Sequence, residues 1–170
     1  EHVWVANSAK VFPSAYLGEA VIVGKDAQVR HCAFVRGSAL VGEGAVVGNS
    51  TELKNVILFD KVEVPHYNYV GDSILGFHAH MGAGSITSNI KADKKNIVIR
   101  DGDEHYATGL RKMGAMIGDW ADIGCNSVLN PGSVIGRECR VYPLSMVRGL
   151  IPQKSIYKNA GEIVALREEQ

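Results

Sequence analysis

An apolar residue recurs every six positions through the first third of the chain, and this period constrains the fold more than any other feature. The positions are Val5, Val11, Leu17, Val23, Val29, Val35, Val41, Val47, Leu53 and Phe59. A mostly small residue stands four positions later, as at Ala9 and Ala27, and glycine often follows directly, as at Gly18. Neither the 3.6-residue period of a helix nor the two-residue period of a strand produces this spacing.

Six residues fit one short strand and one turn, and three such units make one triangular coil of a parallel β-helix. In this interpretation the aliphatic residue fills the interior, the small residue packs beside it, and glycine occupies the sharp corner. Composition agrees, because 20 Val and 13 Ile far outnumber 10 Leu, which favours strands. The sequence therefore predicts an all-β fold, a parallel β-helix of hexapeptide repeats, over a single domain of residues 1–170.

Two segments interrupt the period. It shifts near Pro65, within the sequence HYNY, and it is lost over residues 87–116 before it returns at Ile117. An insertion of that length is uncommon unless it is functional, so we expect an arm that reaches over a site on this subunit or a neighbour, with a β-hairpin at its tip. The alternative is a solvated surface arm.

The end of the chain, residues 149–170, is expected to form a C-terminal extension. Two alternating runs flank Asn159-Ala160-Gly161, which predicts a β-hairpin. Such a hairpin would cover the open end of the solenoid, where strand edges and apolar interior would otherwise be exposed.

Charge and cysteine content exclude several classes of function. The 18 Lys and Arg balance 18 Asp and Glu, so there is no general attraction to nucleic acid or to an anionic membrane. No stretch approaches about 20 apolar residues, and no signal-peptide pattern is present. Three cysteines without CxxC spacing, and no His-x4-His pair, argue against a metal site. We expect a cytoplasmic protein without metal, nucleic-acid or membrane partners.

Four residues near the shift in period suggest a site for a phosphorylated substrate. Arg36 and Lys54 each follow a core aliphatic residue and lie 18 residues apart, one full coil, so their cations are expected to stack and to bind phosphate. His66, with Tyr69 close behind, could remove a proton from an incoming nucleophile. The alternative, for each residue taken alone, is an exposed surface residue without a binding role.

The run NSTELKNVILFDKVEVPHYNYVGDSILG, followed by MGAGSITSN, resembles the acetyltransferase domain of the bifunctional N-acetylglucosamine-1-phosphate uridyltransferase/glucosamine-1-phosphate acetyltransferases. The GLRKMGAMIGD and NPGSVIG segments resemble the archaeal-type sugar-1-phosphate nucleotidylyltransferases of this group. The resemblance covers roughly residues 30 to 150. It implies left-handed coils, a homotrimer, and transfer of acetyl from acetyl-CoA to the amine of glucosamine 1-phosphate, a step toward UDP-N-acetylglucosamine and cell-envelope precursors.

The resemblance also implies roles for individual residues, position by position. These are His66 as general base, Asn89 as the group that orients the reactants, Arg36 and Lys54 as phosphate ligands, Tyr69 as a ligand of the sugar phosphate or of the sugar hydroxyls, Lys95 as an arm residue that reaches the phosphate of a neighbouring subunit, Ala83 at the thioester, and Cys125 and Pro143 along the coenzyme groove. No nucleotidylyltransferase activity is expected, because the glycine-rich nucleotide loop is absent from the sequence.

Three positions depart from the family pattern. His80 replaces an asparagine that helps to hold the amino sugar, Ile90 replaces a tyrosine, and Cys125 replaces a serine. We therefore include His80 among the substrate-binding residues and leave two alternatives open. One is an acyltransferase that acts on another amino-sugar phosphate or uses another acyl group. The other is a non-catalytic, oligomerising β-helix module of a nucleotidylyltransferase.

Overall fold

The computed structural model describes residues 2–158 and 162–165, and these form a triangular solenoid of short parallel strands. Face 1 contains β1 (Val3–Val5), the second halves of β3 (Tyr16–Val23), β5 (Phe34–Val41), β7 (Glu52–Leu58) and β9 (Tyr69–Leu75), then β14 (Ala115–Ile117), β17 (Ser133–Ile135) and β20 (Leu150–Ile151). Face 2 contains β2 (Lys10–Val11), β4 (Gln28–Val29), β6 (Val46–Asn49), β8 (Glu63–His66), β10 (His80–Met81), β15 (Asp122–Ile123), β18 (Arg140–Val141), β21 (Ser155–Tyr157) and β22 (Ile163–Ala165). Face 3 contains the first halves of β3, β5, β7 and β9, then β11 (Ile86–Thr87), β16 (Val128–Leu129) and β19 (Met146–Val147). Over these ranges no helix is long and apolar enough to cross a membrane.

The core is the prism interior, filled by one aliphatic side chain from each face of each coil. Leu17 pairs with Val35, 18 residues later, and the same register links most successive coils. The side chains that fill the prism are fully buried, including Val29, Val47, Leu53, Leu75, Met81, Ile123, Leu129 and Ile135. The predicted hexapeptide β-helix is therefore confirmed, and its coils are those of the left-handed hexapeptide-repeat fold.

Glycine has a different place from the one predicted. The glycine that follows a core aliphatic residue does not turn the corner; it lies where the next coil approaches most closely. A Cβ at Gly24 would lie 2.9 Å from the Glu43 nitrogen, and one at Gly48 would overlap the Pro65 carbonyl. The left-handed corner residue comes three positions after the core residue and is usually not glycine, as at Ala20 (φ 55°) and Ser38 (φ 50°).

The period shifts earlier than predicted, and HYNY does not cause it. Leu58 is the buried core residue, whereas Phe59 is 51% exposed, so the prediction for Phe59 is wrong. The spacing falls to five residues from Leu53 to Leu58, and again from Val70 to Leu75, with a register shift in β5 between Val35 and Gly37. HYNY itself retains the six-residue step from Val64 to Val70. The two shortened turns lie at the corner between faces 3 and 1.

The inserted arm leaves from that same corner. Its strands β12 (Val98–Asp101) and β13 (Glu104–Ala107) form the predicted antiparallel hairpin, with a turn at Gly102. The solenoid resumes directly, because β11 and β14 both pair with β9. The Gly114 amide donates to the Asp72 carbonyl at 2.8 Å, which closes the base of the arm.

Residues 150–157 continue the solenoid, although the sequence placed them in the C-terminal extension. Strand β20 pairs with β17, and β21 pairs with β18, both in parallel. Strand β22 then pairs antiparallel with β21, as predicted for the hairpin, and covers the last edge of face 2. The turn itself, Asn159-Ala160-Gly161, lies outside the described residues.

Close approach of successive coils makes a specific prediction for Gly48. Gly48→Ala is expected to lower the free energy of unfolding by about 1–3 kcal/mol, because the added Cβ meets backbone that has no room to move. Urea denaturation measures this change. Ser38→Ala, at an exposed corner that already carries a side chain, is the control and should stay within about 0.5 kcal/mol of wild type. Equal stability of the two variants would contradict the close-approach explanation.

Candidate functional site

Four of the predicted site residues stack at one corner of the solenoid, between faces 2 and 3. On face 2, His80 pairs with Glu63 in the coil below and with Asp122 in the coil above. Three residues further along each coil, the same register places Ala83 between His66 below and Cys125 above. Pairing of Asp122 with Arg140 places Pro143 level with Cys125. We call His66, Ala83, Cys125 and Pro143 the corner column. Neighbouring members lie one coil apart, about 4.8 Å.

The corner column offers free polar groups at its surface. His66, Cys125 and Pro143 are exposed, and Ala83 is half-buried. Among the described residues, no acceptor pairs with the amides of Ala83 or Cys125, although the carbonyls of both accept bonds from the coil above. The imidazole of His66 has no hydrogen-bond partner within the described ranges. The column can therefore donate amide hydrogen bonds and accept a proton.

Asn68 makes this corner rigid. Its side chain is buried and donates to the carbonyls of Gly82 at 2.8 Å and Ser85 at 3.1 Å. Its Oδ1 accepts a bond from the His66 amide at 3.1 Å. The backbone that carries His66 is thus tied to the turn that carries Ala83, and the two residues keep a fixed relation.

A polar cluster occupies the other end of face 3, where the two shortened turns lie. Lys54 Nζ is 3.0 Å from Asp72 Oδ1, and the Asn55 amide donates to the same oxygen at 2.8 Å. Asn89 donates to the other Asp72 oxygen and, at 3.1 Å, to the Tyr69 hydroxyl. The structure thus brings together three predicted site residues around an aspartate that was not predicted.

Asp72 holds this cluster as a carboxylate. Its side chain is only 7% exposed. Burial by itself raises the pKa, but hydrogen bonds from Asn55, Lys54 and Asn89 outweigh burial and hold the pKa below its ordinary value. The charge of Lys54 is therefore already balanced within the chain.

Arg36 and Lys95 lie outside the polar cluster. The register shift places Gly37, not Arg36, beside Lys54, so the predicted stack of two cations is not formed. Arg36 instead pairs with Glu52 at 2.9 Å across two well-exposed side chains. Lys95 is an exposed residue near the base of the arm, and its amide donates to Asp93.

His80 lies on face 2, three residues before Ala83, and is paired along the solenoid. Its Nδ1 is 2.8 Å from Asp122 Oδ1. The hydrogen bond with Asp122 raises the pKa of His80 above its ordinary value, against a smaller opposing effect of burial. Within the residues that the structure describes, no three His, Cys, Asp or Glu side chains are placed to hold a metal ion.

Three residues that contact predicted site residues were not predicted from the sequence: Asp72, Asn55 and Asp122. One feature of the sequence could have identified two of them. The five-residue steps from Leu53 to Leu58 and from Val70 to Leu75 move the left-handed corner position onto Asn55 and Asp72. These residue types tolerate that conformation. Asp122 follows only from the register between β10 and β15, which spans the insertion.

No protein-family model matches the chain. The bifunctional sugar-1-phosphate nucleotidylyltransferase/acetyltransferase of Sulfurisphaera tokodaii is 34% identical over 98 residues, which are 58% of this chain and 24% of that protein. The bifunctional protein GlmU of Methanococcus maripaludis strain C5 is 29% identical over 136 residues, 80% of this chain and 33% of the relative. The chain is homologous to a segment of the GlmU-type proteins. It spans about a quarter to a third of the length of these curated relatives.

Solved structures support the fold. A hexapeptide transferase family protein from Anaplasma phagocytophilum superposes with a TM-score of 0.65 at 16% identity, over 98% of this chain and 80% of that one. A variant of perosamine N-acetyltransferase from Caulobacter crescentus, solved with CoA and GDP-perosamine, gives 0.50 at 18% identity, over 96% and 56%. The named relatives agree with the acyltransferase class and the coenzyme predicted from the sequence.

Pairing of His80 with Asp122 predicts a pH dependence of stability. Because the folded pKa of His80 is raised, its contribution is complete below the ordinary value of 6.5 and is lost as pH rises through the folded pKa. Both side chains are well exposed, so the contribution is at most about 1 kcal/mol. Between pH 6 and pH 8.5 the melting temperature of wild type should fall by more than that of His80→Gln. Parallel curves for the two proteins would contradict this assignment.

Proposed function

We propose that this chain transfers an acetyl group from acetyl-CoA to the amine of glucosamine 1-phosphate. The corner column is the observation that carries the proposal, because it aligns an exposed imidazole with two unpaired backbone amides on consecutive coils. The homologue named as a bifunctional sugar-1-phosphate nucleotidylyltransferase/acetyltransferase supports the same class of reaction. Acetyl-CoA and sugar phosphates are cytoplasmic metabolites, so we place the protein in the cytoplasm.

In this proposal the coenzyme extends along the corner column, parallel to the solenoid axis. Its pantetheine arm contains amide carbonyls that can accept hydrogen bonds from the Cys125 amide, with Pro143 as an apolar surface one coil above. The thioester then lies beside Ala83. Perosamine N-acetyltransferase, which has a related fold, was crystallised with CoA, and this agrees with a coenzyme site on such a solenoid.

His66 acts as the general base in the proposed reaction. The sugar amine attacks the thioester carbon, an N–C bond forms, and the amine proton passes to the His66 imidazole. The Ala83 amide stabilises the negative charge on the carbonyl oxygen of the tetrahedral intermediate. The C–S bond then breaks, and the departing thiolate takes a proton, which leaves coenzyme A and the N-acetylated sugar.

Residues on face 3 and on the arm bind the sugar phosphate in this proposal. The exposed Arg36–Glu52 pair is weak, so a phosphate can replace Glu52 as the partner of Arg36. Lys54 is held more firmly by the buried Asp72, and we assign it to electrostatic support rather than to direct contact. Tyr69 and Asn89 hold the sugar, and Lys95 reaches the phosphate of a neighbouring subunit.

Substitution at His66 tests the general base. His66→Ala should lower the turnover number by about 10²- to 10⁴-fold in a free-thiol release assay with acetyl-CoA and glucosamine 1-phosphate. His31→Ala is a matched control, because the backbone of His31 lies in the same column, two coils below His66. That control should retain activity within about twofold. Normal turnover by His66→Ala would refute the role, and equal loss in both variants would point to a structural effect.

Acceptor identity needs its own experiment, because His80 replaces an asparagine that helps to hold the amino sugar in the resembled family, and Ile90 replaces a tyrosine. Glucosamine 1-phosphate, galactosamine 1-phosphate and glucose 1-phosphate should be compared in the same assay. Acetylation of glucosamine 1-phosphate with the highest kcat/KM supports the proposal. Preference for galactosamine 1-phosphate would favour another amino-sugar acceptor, and absence of turnover with any acceptor would favour the non-catalytic module.

The outer surface of face 1 supports the proposed homotrimer. One outward-facing residue from each coil lines up in register along the whole solenoid, and all eight are apolar. They are Trp4, Ile22, Leu40, Ile57, Ile74, Met116, Val134 and Leu150. Six of them are between 38% and 59% exposed. A continuous exposed apolar row, which we call the apolar ridge, is typical of a subunit interface. We propose that three copies of the chain meet along it.

A charge in the middle of the apolar ridge should prevent assembly. Ile57→Asp combined with Leu40→Asp is expected to convert the trimer into monomers, because two desolvated carboxylates would lie in the interface. Light scattering coupled to size exclusion measures the mass. Gln28→Asp, at a polar outward-facing position of face 2, is the control and should keep the mass of three copies. A wild-type mass of one copy, or a trimeric double variant, would contradict the proposal.

A further inference from the structure

A cavity of about 430 Å³ lies between the inserted arm and the corner that joins faces 3 and 1. The arm supplies Lys91, Val98 and Arg100, and the solenoid supplies Asn130 and Arg148 from two consecutive coils. Strand β12 of the arm packs beside β20, which fixes the arm against this corner. The cavity is separate from the corner column, which occupies the opposite edge of face 3.

Two glycines lie on the solenoid side of the cavity. Gly132 and Gly149 both have left-handed φ, 79° and 81°. At Gly149 an added Cβ would find only the Arg100 carbonyl within 4 Å, at 3.6 Å. At Gly149 the floor of the cavity therefore has no side chain, whereas at Gly132 an added Cβ would meet the Ile97 side chain at 2.6 Å.

The charges around the cavity are unbalanced. Lys91, Arg100 and Arg148 line it, whereas Asp93 is its single acidic lining residue. Asp93 pairs with Lys91 at 3.3 Å. Across residues 2–158 and 162–165, neither Arg100 nor Arg148 has an acidic partner. Two arginines without acidic partners among the described residues thus line one concave surface of a chain whose net charge is zero.

We propose that this cavity binds a phosphate monoester or a diphosphate group, with Arg100 and Arg148 as its two ligands. Guanidinium groups bind phosphate oxygens through paired, charge-assisted hydrogen bonds, and an anion between the two arginines removes their mutual repulsion. The cavity has the size of sites that hold small metabolites, and Val98 and Pro131 provide an apolar wall for the rest of the molecule.

Both reactants of the proposed acetyl transfer carry phosphate groups. The assignment of the bound phosphate to one of these reactants rests on the proposed function, whereas phosphate binding by the cavity does not. Acetyl-CoA carries a diphosphate and a 3′-phosphate, and glucosamine 1-phosphate carries a monoester. Because the cavity belongs to the arm, either molecule bound there would link arm position to occupancy of the site.

Calorimetric titration with inorganic pyrophosphate tests the cavity without any turnover. Arg100→Gln combined with Arg148→Gln should weaken pyrophosphate binding by about tenfold or more, because two charge-assisted contacts are lost. Arg137→Gln, a paired arginine at another corner, is the matched control and should leave the affinity within about twofold of wild type. Equal melting temperatures of the three proteins establish that the variants are folded.

The same titrations with acetyl-CoA and with glucosamine 1-phosphate identify the source. Whichever reactant loses affinity in the double variant occupies the cavity. Pyrophosphate binding that is unchanged in the double variant, or absent from wild type at millimolar concentration, would overturn the proposal. Pyrophosphate binding by a protein without acetyl transfer would support the cavity and count against the proposed function, so the two failures are distinguishable.

Discussion

The register between successive coils is the constraint on which the rest of the structure depends. Each coil donates its backbone hydrogen bonds to the next, so a residue at one position of a coil lies directly above its counterpart one coil earlier. This register turns a linear repeat into columns of side chains. The interior columns make the core, and the outer columns make the corner column and the apolar ridge.

Small changes in coil length introduce polar side chains at one corner of this regular solenoid. Two turns that are each shortened by one residue place Asn55 and Asp72 at left-handed corners on consecutive coils, where their side chains meet Lys54 and Asn89. The insertion leaves from the same corner, so the arm starts above this polar cluster. The irregular corner between faces 3 and 1 thus carries the polar cluster and is also the point where the arm joins the solenoid.

The six-residue period was sufficient to predict the fold, because it demands one buried aliphatic side chain per strand and has no helical or flat-sheet equivalent. The resemblance, not the period, pointed to Ala83, Cys125 and Pro143, and the register between coils places them with His66 in one column. The period hid the first shortened coil, because Phe59 continues the six-residue spacing and is apolar like the true core residue, Leu58. For that reason the Arg36–Lys54 stack was predicted and is not formed.

Contacts across the insertion also could not be predicted from the sequence. Pairing of His80 with Asp122 joins residues 42 positions apart, and Arg100 and Arg148 line one cavity only because the arm folds back on the solenoid. No local pattern encodes such distances. The repeat specifies where a coil lies, whereas the arm is positioned by packing against coils that come later in the chain.

The corner column is tested most directly by the reactivity of two cysteines at the same corner. Cys32 and Cys125 are both exposed, but Cys32 lies two coils below His66, whereas Cys125 lies two coils above it. Alkylation by iodoacetamide should be followed at each cysteine by mass spectrometry, with and without saturating acetyl-CoA. Slower alkylation of Cys125, with no change at Cys32, is the predicted result. Equal rates at Cys125 with and without acetyl-CoA would contradict a coenzyme site along the column.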